Sequence, residues 1–159
     1  MKQSLQNRGF DNLDQAILEA LQADGRISVA DLARQIHLSQ PAVHNRIKRL
    51  EREGIIKGYV ALLDHEQIGF DLMAFLQITL ANHTSEAVEG LLNDVYQRCR
   101  VLACHQLTGG ADLLLKVVAE NRRVLAGLVA ELADHETVQR IETSIVLNTG
   151  KDTTHLPLD

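Results

Sequence analysis

Apolar residues recur at helical spacing three times in the first third of the chain. Leu13, Ala16, Ile17, Ala20 and Leu21 mark one face of a helix predicted over residues 12–22, with Asn12 as cap, Gln15 completing a capping box, and Asp24-Gly25 as the stop. A shorter helix starts at Ser28, whose hydroxyl can accept a free N–H while Asp31 suits the positive end of the dipole. Val29, Leu32, Ala33 and Ile36 then face inward, leaving Asp31, Arg34 and Gln35 outside. His37-Leu38-Ser39 interrupts the pattern, and position 37 calls for a left-handed backbone. Ser39 caps a third helix, Pro41 falls in its first turn, Val43, Ile47 and Leu50 form its buried stripe, and Gly54 ends it. Residues 55–63 read as a short strand, a wing, and residues 64–69 (DHEQIG) as a linker.

Beyond residue 70 the period changes. Strands are predicted over 70–81, 101–108, 112–120 and 138–148, with helices over 85–98 and 122–133. The helices carry inward stripes at Val88, Leu91, Leu92, Val95 and at Val124, Leu125, Leu128, Leu132, with Thr84 or Ser85 and Asn121 as caps. Gly109-Gly110 marks a tight hairpin. The order βαββαβ predicts a ferredoxin-like sandwich with both helices on one face of four antiparallel strands. The fold class is therefore α+β, with a winged helix-turn-helix over 1–63, a linker over 64–69 and the sandwich over 70–159. In the first strand Leu72, Ala74, Leu76, Ile78 and Leu80 alternate with Met73, Phe75, Gln77 and Thr79, so both faces carry apolar residues. Helices cover one face only; the other is expected to meet a second copy, giving a homodimer.

The third helix carries the chemistry. Outward of its stripe lie Gln40, Ala42, His44, Asn45, Lys48, Arg49 and Arg52, with Arg46 near the edge. Gln and Asn pair at two points with adenine and Arg with guanine, while longer cations reach phosphates. A basic amphipathic helix alone is often just a solvated face. The capped helix before it, the short turn and the following segment together point to a duplex-DNA reader. Ser28, Ser39 and Lys57 join the candidate DNA contacts. Residues 1–63 hold nine Lys/Arg against seven Asp/Glu, a net of +2, whereas residues 64–159 hold seven against fourteen, a net of −7. The overall charge of −5 thus conceals a basic half.

Aromatics at 3% with no Trp exclude base-stacking platforms. The best apolar run, ADLLLKVVA, is broken by Lys116, and the opening KQSLQNRGFD is too polar for a signal peptide, so a cytoplasmic location without membrane partners is expected. Cys99 and Cys104 are too few for a disulfide scaffold, and with His105 they lack the ligand number and spacing of a zinc site. No HExxH, Walker loop, GxSxG or GxGxxG is present, and no catalytic group, metal or cofactor is expected.

Over residues 11–149 the chain resembles the Lrp/AsnC, or feast/famine, transcription factors. The likeness rests on DNLDQAILEALQADGRIS, Leu38-Ser39, Val43, Arg46-Ile47, RLE at 49–51, GIIKGYVALLD at 54–64, FLQITL at 75–80, CHQLTGGADLLLKV at 104–117 and the closing VLNTG. It implies an N-terminal winged helix-turn-helix and a C-terminal domain that oligomerises, through dimers, to tetramers or octamers and senses a small amino acid. Two positions depart from the family pattern. His37 stands where Gly is usual, and the sensing loop Thr108, Gly109, Gly110, Ala111, Asp112 lacks the usual polar and aromatic side chains. In that loop Gly109 and Gly110 can offer N–H groups to an α-carboxylate and Asp112 can hold an α-ammonium; a plain hairpin turn needs the same glycines. Two alternatives remain: a sirohaem-decarboxylase-like enzyme using His105 or His135, and an amino-acid sensor that binds a protein instead of DNA.

Overall fold

The computed structural model describes residues 9–158. The first eight residues, assigned from sequence to the DNA-binding domain, and Asp159 lie outside the described residues. The chain forms two compact units, Met1–Leu62 with Lys151–Asp159, and Leu63–Gly150.

In the first unit α1 (Asn12–Ala23), α2 (Val29–Gln35) and α3 (Gln40–Arg52) surround Ile17, Leu32, Val43 and Leu50, all at or near zero exposure. Burying each such side chain contributes roughly 1.5–3 kcal/mol. The cap of α1 is Asp11, one residue earlier than expected. Its carboxylate accepts the Asp14 N–H at 2.8 Å, and Asp14 returns the bond to the Asp11 N–H at 3.2 Å. The box therefore uses Asp14 in place of Gln15, since an aspartate three residues inside the cap reaches back to the free amide. Ser28 and Ser39 cap α2 and α3 as expected, and His37 takes the left-handed backbone at φ 56°. Gly54, at φ 71°, follows the end of α3 in the left-handed conformation that glycine takes without a Cβ penalty.

Residues 55–63 form no strand ladder in the single chain, so the expected wing has no partner among the described strands. Val60 (80%), Leu62 (74%) and Leu63 (70%) are widely exposed there. The tail from Lys151 groups with this unit, not with the sheet to which 70–159 was assigned. The Gln22 side-chain amide explains the difference: it donates to the Leu156 carbonyl at 3.1 Å and accepts the Leu156 N–H at 2.6 Å, while Leu158 packs on the helical core.

In the second unit, β1 (Leu72–Leu80), α4 (Ser85–Gln97), β2 (Val101–Gln106), β3 (Leu113–Ala119), α5 (Arg122–Ala133) and β4 (Val138–Ile145) follow the expected order. The antiparallel sheet runs β2-β3-β1-β4, the ferredoxin-like arrangement. Ala74, Leu76, Ile78 and Leu80 on β1 and Leu113, Leu115 and Val117 on β3 pack with Leu91, Val95, Leu125, Leu128 and Leu132 in one core. Thr84 and Asn121 cap the two helices. Met73, Phe75 and Gln77 alternate to the opposite face, where register pairs Phe75 with Lys116 and Gln77 with Leu114. The linker is an ordered turn within this unit: Asp64 accepts the Glu66 and Gln67 N–H groups, and His65 Nδ1 lies 2.7 Å from the Phe70 carbonyl.

Candidate nucleic-acid interface and ligand loop

The side chains expected to touch DNA fall into three groups. Ser28 and Ser39 are occupied as caps, accepting the Asp31 N–H at 3.0 Å and the Ala42 N–H at 3.4 Å. Ser28 also donates to Asp31, which in turn holds Arg34. Arg46 and Arg49 turn to α1. Arg46 Nη1 lies 2.8 Å from Asp14 Oδ1 and 2.9 Å from Asp11 Oδ1, while Arg49 Nη2 bonds to Asp14 Oδ2. Asp14, then Asp11, raise the Arg46 pKa, and the Asp14 N–H followed by Arg46 lowers that of Asp11. The third group points to solvent. Gln40, His44, Asn45, Arg52 and Lys57 are exposed and form no hydrogen bond or ion pair through their side chains among the described residues. Lys48 is also exposed and meets only Glu51, at 2.9 Å on the surface. Ala42 is half-buried beside the cap.

Sequence reasoning missed Asp14. It lies one turn from Ile17 and Leu18 on the buried side of α1, and Arg46 and Arg49 sit three apart on α3. An acid on an apolar stripe, opposite a helix with spaced arginines, is the signal that finds it.

In the sheet unit Thr108, Gly109, Gly110 and Ala111 form the hairpin between β2 and β3, closed by Leu107 N–H to the Asp112 carbonyl at 2.8 Å. Gly109 has φ 126°, a conformation that favours glycine. The N–H groups of Thr108, Gly109 and Gly110 make no backbone hydrogen bond among the described residues. Asp112 is stapled to β1: its Oδ2 accepts the Leu80 N–H at 2.8 Å, and its Oδ1 lies 3.0 Å from His83 Nε2. The Leu80 N–H, then His83, lower the Asp112 pKa. Beside this staple is a cavity of about 330 Å³ lined by Leu80, His83, Val88, Gln106, Leu107, Thr108, Asp112 and Leu113. The structure thus brings Thr108 and Asp112 to one cavity and adds His83, which no sequence motif marked. Gly109, Gly110 and Ala111 are in the same loop but are not in its lining.

His105 and His135 do not converge on this cavity. His105 is exposed on β2, and His135 Nδ1 accepts the Thr137 N–H at 3.2 Å in a turn. Cys104 is half-buried, which raises its thiol pKa, and Cys99 is exposed. Among the described residues no three metal-ligating side chains gather, and no helix is long and apolar enough to cross a membrane.

The family model of the AsnC-type helix-turn-helix domain matches residues 10–51, and that of the Lrp/AsnC ligand binding domain matches residues 73–156. The transcriptional regulator AzlB of Bacillus subtilis is 33% identical, with 94% of this chain and 96% of that protein covered. The proline dehydrogenase transcriptional activator of Rhizobium radiobacter is 34% identical, covering 96% and 99%. A transcriptional regulator of Neisseria meningitidis solved as a complex with L-methionine has a TM-score of 0.90 at 34% identity, covering 94% of this chain and 97% of that one.

Proposed function

Because the chain belongs to the Lrp/AsnC family of transcriptional regulators, we propose that it binds promoter DNA through α3 and tunes that binding with an amino acid of apolar side chain. The solvent-facing stripe of α3 carries the proposal. Gln40, His44 and Asn45 near the N-terminal half of α3 stand where a recognition helix meets base edges, while Lys48, Arg52 and Lys57 are suited to phosphates. A homodimer covers the open sheet face around Met73 and Phe75, and its two recognition helices read an inverted repeat. Dimers assemble further into tetramers or octamers through a second surface, since a two-fold contact closes on itself.

The ligand reading rests on the cavity beside Asp112. Leu80, Val88, Leu107 and Leu113 suit an apolar side chain, the carboxylate suits an α-ammonium, and the Thr108 N–H, the one hairpin amide at the cavity wall, suits an α-carboxylate. The methionine held by the Neisseria relative supports this class of ligand. Its binding needs a differential affinity of only about 1–3 kcal/mol between states to change promoter occupancy.

Fluorescence anisotropy with promoter fragments, with and without L-methionine or L-leucine, tests both halves. Expected are salt-dependent affinity for an inverted repeat and a shift of affinity by the amino acid. Equal binding to scrambled duplex defeats the base-reading assignment. Absence of calorimetric heat with every amino acid defeats the ligand assignment.

A further inference from the structure

Asp14 is the only buried charged side chain among the described residues. We propose that it is a positioning residue for DNA recognition: it engages Arg46 and Arg49 so that these arginines seat α3, leaving the phosphates to Lys48, Arg52 and Lys57. This rests on the DNA-binding reading above and divides the cations of the recognition surface into two kinds.

The geometry separates them. Each Asp14 oxygen takes one guanidinium, Arg46 at Oδ1 and Arg49 at Oδ2, while the Asp14 side chain itself is 1% exposed. Drawing either arginine out to a phosphate leaves a buried carboxylate half compensated, which the low-dielectric interior strongly penalises. Arg46 is held a second time by Asp11, and the buried Nε of Arg49 has only Glu53 nearby, at 4.0 Å. Both guanidinium groups are therefore committed to the protein, with the fork geometry that suits arginine and not lysine. The other cations are differently placed. Residues 45, 48 and 52 fall on the side of α3 opposite Val43, Ile47 and Leu50, whereas 46 and 49 fall on a flank that meets α1. Lys48 is restrained only by an exposed pair, which exchanges readily for another anion.

The test is the salt dependence of binding by the full-length protein to a labelled promoter fragment. Each phosphate contact contributes a slope of about −0.9 in log affinity against log salt. Lys48→Ala, Arg52→Ala and Lys57→Ala are each expected to reduce the slope by about one. Arg46→Gln and Arg49→Gln are expected to weaken binding about tenfold with the slope unchanged. Asp14→Asn, which removes the charge at nearly constant volume, is expected to do the same while circular dichroism reports a folded chain. A slope reduced by about one in either Gln variant, or Asp14→Asn binding as tightly as the parent, overturns the proposal. Where a variant does not fold, arginine side-chain N–H resonances of the parent decide. Arg52 is expected to shift on adding DNA while Arg46 and Arg49 do not, and a shift at Arg46 overturns it. A parent protein with no salt-dependent affinity defeats the DNA reading itself.

Discussion

Two aspartates organise the two candidate sites, and they do so by opposite means. Asp14 is fully buried and joins two helices through paired guanidinium groups, whereas Asp112 is half-buried and joins a hairpin to the end of β1 and the residues after it, through the Leu80 amide and the His83 imidazole. A buried carboxylate with two arginine partners is nearly all-or-none, because losing one member strands charge in the interior. A carboxylate that water still reaches is more forgiving, since water replaces part of what it loses. The face of α3 is thereby held as a fixed shape, while the loop 108–112 rests on more easily replaced interactions.

Asp14→Ala is the most severe challenge to this contrast. With the arginines partly exposed, a loss of about 3 kcal/mol from the helical unit is expected in denaturant unfolding, at the low end for broken buried pairs. No loss would mean that the two aspartates are alike. Asp112→Ala is expected to move the melting transition less than Asp14→Ala does, yet to abolish the calorimetric heat with L-methionine. A larger destabilisation than that of Asp14→Ala would reverse the ranking. Gln22→Ala, which removes both bonds to Leu156, is expected to cost about 1 kcal/mol by thermal unfolding. The smallest effect is a titration. Asp112 has a folded-state pKa lowered from 3.8, so its contribution is present above that value and is lost as pH falls through the lower folded value. The Leu80 amide proton resonance is expected to titrate with a midpoint below 3.8 in two-dimensional NMR.

Much of the fold was written in local chemistry. Ser28, Ser39 and Asn121 cap the helices where their spacing placed them, as does Thr84 of the pair Thr84 or Ser85, and the alternation in β1 separated Ala74, Leu76 and Ile78 from Met73 and Phe75, leaving open which face the helices cover. These features depend on neighbours a few residues away. Apart from the α1 cap, which falls one residue earlier than expected, the failures depend on distant ones. Residues 55–63 have strand-forming side chains but no ladder partner among the described residues, and propensity cannot supply one. By helical spacing Arg49 looked outward and Arg46 lay near the edge, yet a carboxylate more than thirty residues away claims both. The loop 108–112 was legible as a turn, whereas His83 joins it only because the end of β1 lies beside it.

The tail has a topological consequence. The chain leaves the helical unit after Leu62, completes the sheet unit and returns at Lys151. The helical unit is thus built from two separated stretches of chain, with the whole sheet unit inserted between them. Proteolysis just after Gly150 would therefore strip Leu158 from the helical core and remove the partner of the Gln22 amide in the same stroke.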